Sequence, residues 1–295
     1  MRFGMVALEF VPSIKRIIQD GIPDFSRFNL PEIVREDLQI EHIEVIEITM
    51  DTEKILPGSL TPETITNLAS LKDELGHSYT VHLPLWSIEP STFNDFIRKA
   101  SVESIVSSIK LAEELDPEAY VLHSTGALAA EFSRLKLPEG PRLMVAGYIA
   151  AFAEKSLEEI LAKTEIDPRK LAVENIEFPF EITRDLIDQF DTGICFDTGH
   201  VLSKQSGNET LFEFYKKHRN RIIEIHLHDG SFPEGGRAFR TEHIALGQGE
   251  MPIREFLLEL AKDEFRGPLI FELTPDEVKE SLFVIKKDVP EVLSD

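Results

Sequence analysis

Six short apolar runs end on residues that can bind a metal or move a proton. They read Thr80-Val81-His82-Leu83-Pro84, Val121-Leu122-His123-Ser124, Ala172-Val173-Glu174-Asn175, Cys195-Phe196-Asp197-Thr198-Gly199-His200, Ile225-His226-Leu227-His228-Asp229 and Ile270-Phe271-Glu272-Leu273. Gathered in one place, they supply His, His, Glu, Asp, His and Glu. Clustered carboxylates repel and raise one another's pKa. A divalent cation removes that conflict, and mixed nitrogen and oxygen donors suit zinc, manganese, cobalt or iron rather than magnesium or calcium. Taken singly, His82 or His123 reads as a hydrogen-bonded structural residue. Glu174, Asp197 and Glu272 read as functional, because a carboxylate on a buried strand needs a partner and no Lys or Arg stands beside either glutamate. His226 and His228 lie two apart and share a face on a regular strand, so either can be the ligand.

These residues need elements that point them at one spot. Strand-like runs occupy Arg2–Leu8, Ile43–Thr49, Tyr79–Leu83, Ala119–His123, Lys170–Glu174, Gly193–Asp197, Ile222–His228 and Pro268–Glu272. Stretches of helical periodicity separate them. Thr61-Pro62-Glu63 and Thr274-Pro275-Asp276-Glu277 read as capped helix starts, while Ser101–Leu115 and Ser156–Leu161 carry apolar residues three or four apart. Eight alternating units in one domain spanning residues 1–295 predict an α/β fold, a (β/α)8 barrel. Its C-terminal strand ends form one mouth, and the six runs would deliver their residues there. An open doubly wound sheet shares the alternation, but Leu8-Glu9-Phe10-Val11-Pro12 after the first strand has no glycine for a dinucleotide turn. The stretch Asp20–Glu41 fits no ordinary connection and stays unassigned.

His42, His77 and His218 sit in polar contexts and are expected to be solvated. Cys195, between Ile194 and Phe196, reads as a small core residue rather than a nucleophile. Trp86 and Phe178 follow strands and would line a pocket or fill the core. Gly235-Gly236 with Arg237 and Arg240 would either close over an anion or form an exposed turn.

Composition narrows the partners. The 295 residues are 42% hydrophobic and 28% charged, with 31 Lys+Arg against 53 Asp+Glu and a net charge of −22. Nucleic-acid binding draws on cationic groups, so this balance opposes a general DNA or RNA binder, although bound metal reverses the sign locally. A small-molecule substrate is expected. No run approaches the ~18–20 apolar residues of a membrane span, and the N-terminus lacks a signal peptide's long apolar region. The single cysteine precludes an intramolecular disulfide and fits a reducing, cytoplasmic compartment. Oligomeric state is left open.

The ordered motifs resemble a known family. Val81-His82-Leu83-Pro84, Glu174-Asn175, Asp197-Thr198-Gly199-His200, His226-Leu227-His228-Asp229, His243-Ile244-Ala245-Leu246-Gly247-Gln248-Gly249 and Phe271-Glu272 are similar to those of the xylose isomerase-like TIM barrels. That superfamily includes endonuclease IV, sugar isomerases and sugar epimerases. In epimerase-like members, the resemblance implies one metal on Glu174, Asp197, His226 and Glu272, with Glu174 and Glu272 as the acid/base pair. In endonuclease IV it implies a first metal on His82, His123 and Glu174 and a second on Glu174, Asp197, His226 and Glu272. The third would use His200, His243 and an aspartate two residues before His243. Thr241 stands at that position, so a third site needs Glu242 or Asp229 as substitute. Tyr79–Leu85 and Val173–Glu181 also resemble segments of cobamide-remodelling phosphodiesterases. The implied activity is metal-dependent phosphodiester hydrolysis with one to three divalent ions, catalysed around Glu174 and Glu272. Trp86, His228, Arg237 and Arg240 are its expected substrate contacts. The alternative is a one-metal sugar or sugar-phosphate isomerase or epimerase, followed by an abasic-site DNA endonuclease.

Overall fold

The computed structural model describes residues 1–7, 15–19, 21–232 and 241–293. Eight parallel strands close into a barrel: β1 (Phe3–Val6), β2 (Ile43–Thr49), β3 (Ser78–His82), β4 (Tyr120–Leu122), β5 (Leu171–Glu174), β6 (Gly193–Asp197), β7 (Ile222–His226) and β8 (Leu269–Phe271). Neighbours follow chain order, and β1 closes the ring, with Phe3 opposite both Leu269 and Ile43. Parallel strands need long crossovers, usually helical. Here these run through α1 (Leu30–Asp37), α2 (Pro62–Leu75), α3 (Asp95–Ala112), α4 (Glu139–Thr164), α5 (Phe180–Phe190), α6 (Leu211–His218) and α7 (Ile253–Lys262), and α8 (Pro275–Asp288) follows β8. The expected barrel is therefore the observed one.

Local chemistry sets several boundaries. The Thr61 hydroxyl accepts from the Thr64 amide at 3.2 Å with Pro62 behind it, and Gly76 at φ +73° ends α2 in the left-handed region. Thr274 and Glu277 cap each other at the start of α8. The segment expected at Ser156–Leu161 is only the last part of the 26-residue α4, whose Pro141 is tolerated in the first turn. Residues 101–115 fall in α3 and a 3-10 turn, Glu113–Leu115. The unassigned stretch holds part of a small hairpin (Ile18–Gln19 with Ile22–Pro23), a 3-10 turn Phe25–Arg27 and α1. Among the described residues, no helix is long and apolar enough to cross a membrane.

Two histidines expected in solvent are buried instead. His77 meets Tyr79 edge-on with ring centroids 4.6 Å apart, and burial pushes its pKa down to about 4. His218 packs against Phe180 and Phe214. Their sequence neighbours are polar, but the aromatic partners come from other positions. His42 is half-buried.

The apolar residues divide into two zones. The large core fills the space between strands and helices, from Phe3 and Ile46 to Leu257 and Ile285. Smaller clusters of Ala119, Val121, Ala172 and Cys195, and of Val6, Val45 and Ile270, involve alternate strand positions. Side chains on a strand repeat with period two. Two residues on from Val45, Val121, Ala172, Cys195 and Ile270 stand Glu47, His123, Glu174, Asp197 and Glu272. The barrel thus places a polar tier directly above an apolar one. Cys195 is a core residue, as expected.

Candidate metal centre

Glu174 closes β5, is 1% exposed, and reaches four histidines with its two oxygens. Its Oε2 lies 2.8 Å from His123 Nε2 and 3.4 Å from His82 Nε2. Its Oε1 lies 3.4 Å from His200 Nδ1 and 3.6 Å from His226 Nδ1. Asp197 closes β6, and its Oδ1 accepts the His200 amide at 2.6 Å, capping the short helix Thr198–Leu202. Its Oδ2 lies 3.9 Å from His226 Nδ1. Glu272 follows β8 and places Oε2 3.2 Å from both His226 Nδ1 and His243 Nε2. Among the described residues, the ion-pair partners of these three carboxylates are all histidines.

The expected ligands therefore converge, and they do so in groups. His82, His123 and Glu174 form one. Glu174, Asp197, His226 and Glu272 form a second. His200, Glu242 and His243 form a third. Within each, one donor atom per residue lies within 4.8 Å of the others. A tetrahedral ion with bonds of ~2.0–2.1 Å needs donors roughly 3.4 Å apart, which small adjustments of these side chains reach. The residues also present orphaned atoms. Both His226 nitrogens and Glu242 Oε2 are buried without a hydrogen-bond partner, and buried polar atoms normally have one. A divalent cation fits this donor set.

Electrostatics lead the same way. Burial alone pushes His82 down, but the Glu174 hydrogen bond and nearby Glu47 and Glu272 win and lift it to about 9. Burial likewise opposes the charge on His243, yet Glu272, Asp197 and Glu242 raise it to about 10. Burial works against Glu174 and Glu272 as well, and their histidine partners overcome it and hold both well below the usual carboxylate range. The cluster thus demands positive charge, which protons on imidazole or bound metal can supply.

The surroundings refine the expected roles. His228, an expected substrate contact, is fully buried and forms a further potential ligand group with Asp197, His243 and Glu272. Its Nδ1 accepts from the His243 amide at 3.0 Å, so the proton sits on Nε2, which donates to Asp197 Oδ2 at 2.9 Å. Strand β7 ends at His226, and His228 lies beyond the regular pleat. Gly199 is required here: a Cβ would stand 2.1 Å from His228 Cε1. Asp229 does not stand in for the missing third-site aspartate. Its carboxylate accepts the amides of Gly230, Gly247, Gly249 and Met251 at 2.8–3.0 Å and so folds the loop that carries the Leu-Gly-Gln-Gly motif. Glu242 is the acid beside His200 and His243. His243 itself holds φ +52°, a costly backbone for a non-glycine residue.

Trp86 is 57% exposed on the loop after β3, where Asp51 Oδ2 accepts the Leu85 and Trp86 amides at 2.6 and 3.1 Å. Phe178 belongs to the core, with Ala129, Ala146 and Ile149. Arg237 and Arg240 lie outside the described residues. Two functional candidates escaped the sequence reading: Glu47 on β2 and Glu224 on β7, both fully buried next to His226. Each is an acid inside an apolar run, Val45-Ile46-Glu47-Ile48 and Ile222-Ile223-Glu224-Ile225, the signal that marks Glu174.

Residues 41–288 match the family model of the xylose isomerase-like TIM barrel. The chain belongs to that family. It is 26% identical to an uncharacterized protein of Methanocaldococcus jannaschii, covering 99% of this chain and 92% of the relative. It is 26% identical to a probable endonuclease 4 of a Sulfurihydrogenibium species over 68% of this chain and 72% of the relative. A crystal structure of a D-tagatose 3-epimerase-like protein superposes with a TM-score of 0.69 at 24% identity, covering 99% and 98% of the two chains. Members of the family are enzymes, and the fold is compatible with more than one chemistry.

Proposed function

We propose that this barrel is a divalent-metal-dependent hydrolase that cleaves a phosphodiester in a small or medium-sized substrate. The observation that carries the reading is the way Glu174 divides its oxygens, Oε2 towards His82 and His123 and Oε1 towards His200 and His226. A carboxylate so placed joins two adjacent ligand groups, and paired metals are a recurring device of phosphate-ester cleavage. In this reading His82, His123 and Glu174 hold one ion, Glu174, Asp197, His226 and Glu272 a second, and His200, Glu242 and His243 a third. Zinc or manganese, with iron or cobalt next, suit these donors. Divalent cations held by these residues would supply Lewis acidity and lower the pKa of water towards neutrality. The residues hold and orient: His228 fixes Asp197, and Asp229 fixes the loop bearing His243. Trp86 stands exposed where a substrate ring could pack. A cobamide nucleotide loop is the first substrate to test, on the likeness of Tyr79–Leu85 and Val173–Glu181. The net charge of −22 weighs against DNA as the substrate. The lone buried cysteine suits a cytoplasmic protein.

A second reading has its own support. Glu174 and Glu272 both belong to the group around His226, as a one-metal epimerase with paired carboxylate acid and base requires. Elemental analysis, phosphodiester screening and solvent-deuterium exchange into ketoses separate the two. Two or three ions per chain with phosphodiester turnover support the hydrolase. One ion per chain with deuterium entering a ketose and no phosphodiester turnover overturns it in favour of the epimerase.

A further inference from the structure

Beside the ligand cluster, Glu47 and Glu224 flank His226, and all three are fully buried. Glu47 Oε1, both Glu224 oxygens and both His226 nitrogens lack a hydrogen-bond partner. Such a set inside a barrel needs an explanation. The His226 ring faces two ways. Its Nδ1 faces Glu272, Glu174 and Asp197 at 3.2, 3.6 and 3.9 Å. Its Nε2 points the other way, 3.5 Å from Glu47 Oε1. The second Glu47 oxygen accepts the Thr80 hydroxyl at 3.3 Å, which fixes the carboxylate on the β3 side. Glu224 approaches from β7, with one oxygen within 4.8 Å of a Glu47 oxygen and a His226 nitrogen. Cys195 also contacts the ring, but a thiol sulfur is a weak acceptor.

An imidazole that coordinates through one nitrogen must carry its proton on the other, and an acceptor at that proton fixes both tautomer and ring orientation. We infer that Glu47, backed by Glu224, is a positioning residue: it holds the His226 proton on Nε2 and so turns the Nδ1 lone pair towards Glu174, Asp197 and Glu272. This rests on the reading of His226 as a metal ligand. It is independent of the reaction catalysed. The contact of 3.5 Å is at the outer limit of a hydrogen bond, so the expected effect is that of an outer-shell partner and not of a ligand.

The test is nitrogen-15 NMR of histidine-labelled, zinc-loaded protein, together with zinc affinity by chelator competition. The wild type is expected to show His226 coordinated through Nδ1, with a slowly exchanging Nε2 proton. Glu47→Gln keeps an amide oxygen to accept and should preserve this pattern. Glu47→Met should expose the proton to fast exchange and weaken one zinc ion about 10- to 100-fold, the usual cost of losing such a partner. Should either single variant fail to fold, Glu47→Met combined with Glu224→Met removes both carboxyls together and leaves neither without its partner. Coordination through Nε2 in the wild type, or an unchanged proton and affinity in Glu47→Met, overturns the inference. So does the loss of a whole equivalent of zinc in Glu224→Met, which would make the carboxyl pair a cation site of its own. If no His226 nitrogen shifts on zinc loading, this inference falls together with the ligand assignment. A negative phosphodiester screen leaves the tautomer result standing, so the two failures are distinguishable.

Discussion

Replacing Glu174 with glutamine keeps the side chain's shape and removes a charge that two ligand groups share. The consequences differ by group. His82 and His123 lose the only carboxylate in theirs, whereas Asp197, His226 and Glu272 remain in the second. His200, Glu242 and His243 do not depend on Glu174 as a group member. Removing one partner of a buried, hydrogen-bonded charge pair costs about 2–5 kcal/mol. At about 1.4 kcal/mol per factor of ten, that is a loss of roughly 30- to 4,000-fold in affinity. The first ion should therefore be lost on dialysis, the second should weaken, and the third should stay, while turnover collapses. Metal content per chain and chelator competition read this directly. His123→Gln and Glu242→Gln are the controls, expected to affect the first and third ions respectively. The reasoning fails if Glu174→Gln keeps full metal content and activity, or if all three variants lose the same single ion.

Other consequences follow from the same geometry. Gly199→Ala would place a Cβ 2.1 Å from His228 Cε1, so the ring must leave Asp197; a loss of about 1–3 kcal/mol should appear as a lower denaturant midpoint at unchanged slope. An unaltered midpoint would show that the ring has room. Asp229→Ala strips the acceptor from the amides of Gly230, Gly247, Gly249 and Met251, and hydrogen exchange at these amides should accelerate while that of the β-barrel strands changes less. Metal-free protein should lose thermal stability as pH rises. Free histidine titrates near ~6.5, whereas His82 and His243 are lifted to about 9 and about 10 by their carboxylates. Their contribution is thus complete below ~6.5 and disappears as pH climbs through those raised values. Zinc affinity should move the opposite way, strengthening with pH as the competing protons leave. A melting temperature that climbs from pH 6.5 to 10 after chelation would contradict the sign.

Much of the barrel is legible because a buried parallel strand is a dense run of apolar residues ending abruptly. Ile43–Thr49 and Gly193–Asp197 match the expected bounds, and the other strands differ by a residue or two at their ends. The helices are less legible. Only part of α4 carries clear spacing, because its first turns bear Gly140 and Pro141 and its hydrophobic face is weakly segregated. His77 and His218 were misjudged for a different reason. Burial is a tertiary property, and the rings that cover them, Tyr79 for one and Phe180 and Phe214 for the other, become neighbours only when the chain folds.

The site shows the same division between local and long-range information. Period two brings His82, His123, Glu174 and Asp197 onto one side of their strands, so their convergence needs only strand ends and barrel closure. His228 lies past the end of β7, where that period no longer operates, and the structure turns its Nε2 to Asp197 Oδ2. Glu242 joins His200 only because the segment carrying His243 turns back over β6, a placement that Asp229 organises through four amides contributed by a distant loop and its own neighbour. Glu47 and Glu224 are legible as acids inside apolar runs, but a pattern keyed to strand ends passes over an acid two residues earlier. Their burial makes them the more informative pair. A carboxylate at a solvent-facing mouth can be tolerated without a role, but two facing each other in a closed barrel must each find a proton, a donor or a cation. In this chain both lie within reach of His226, which ties the interior of the barrel to the chemistry at its mouth.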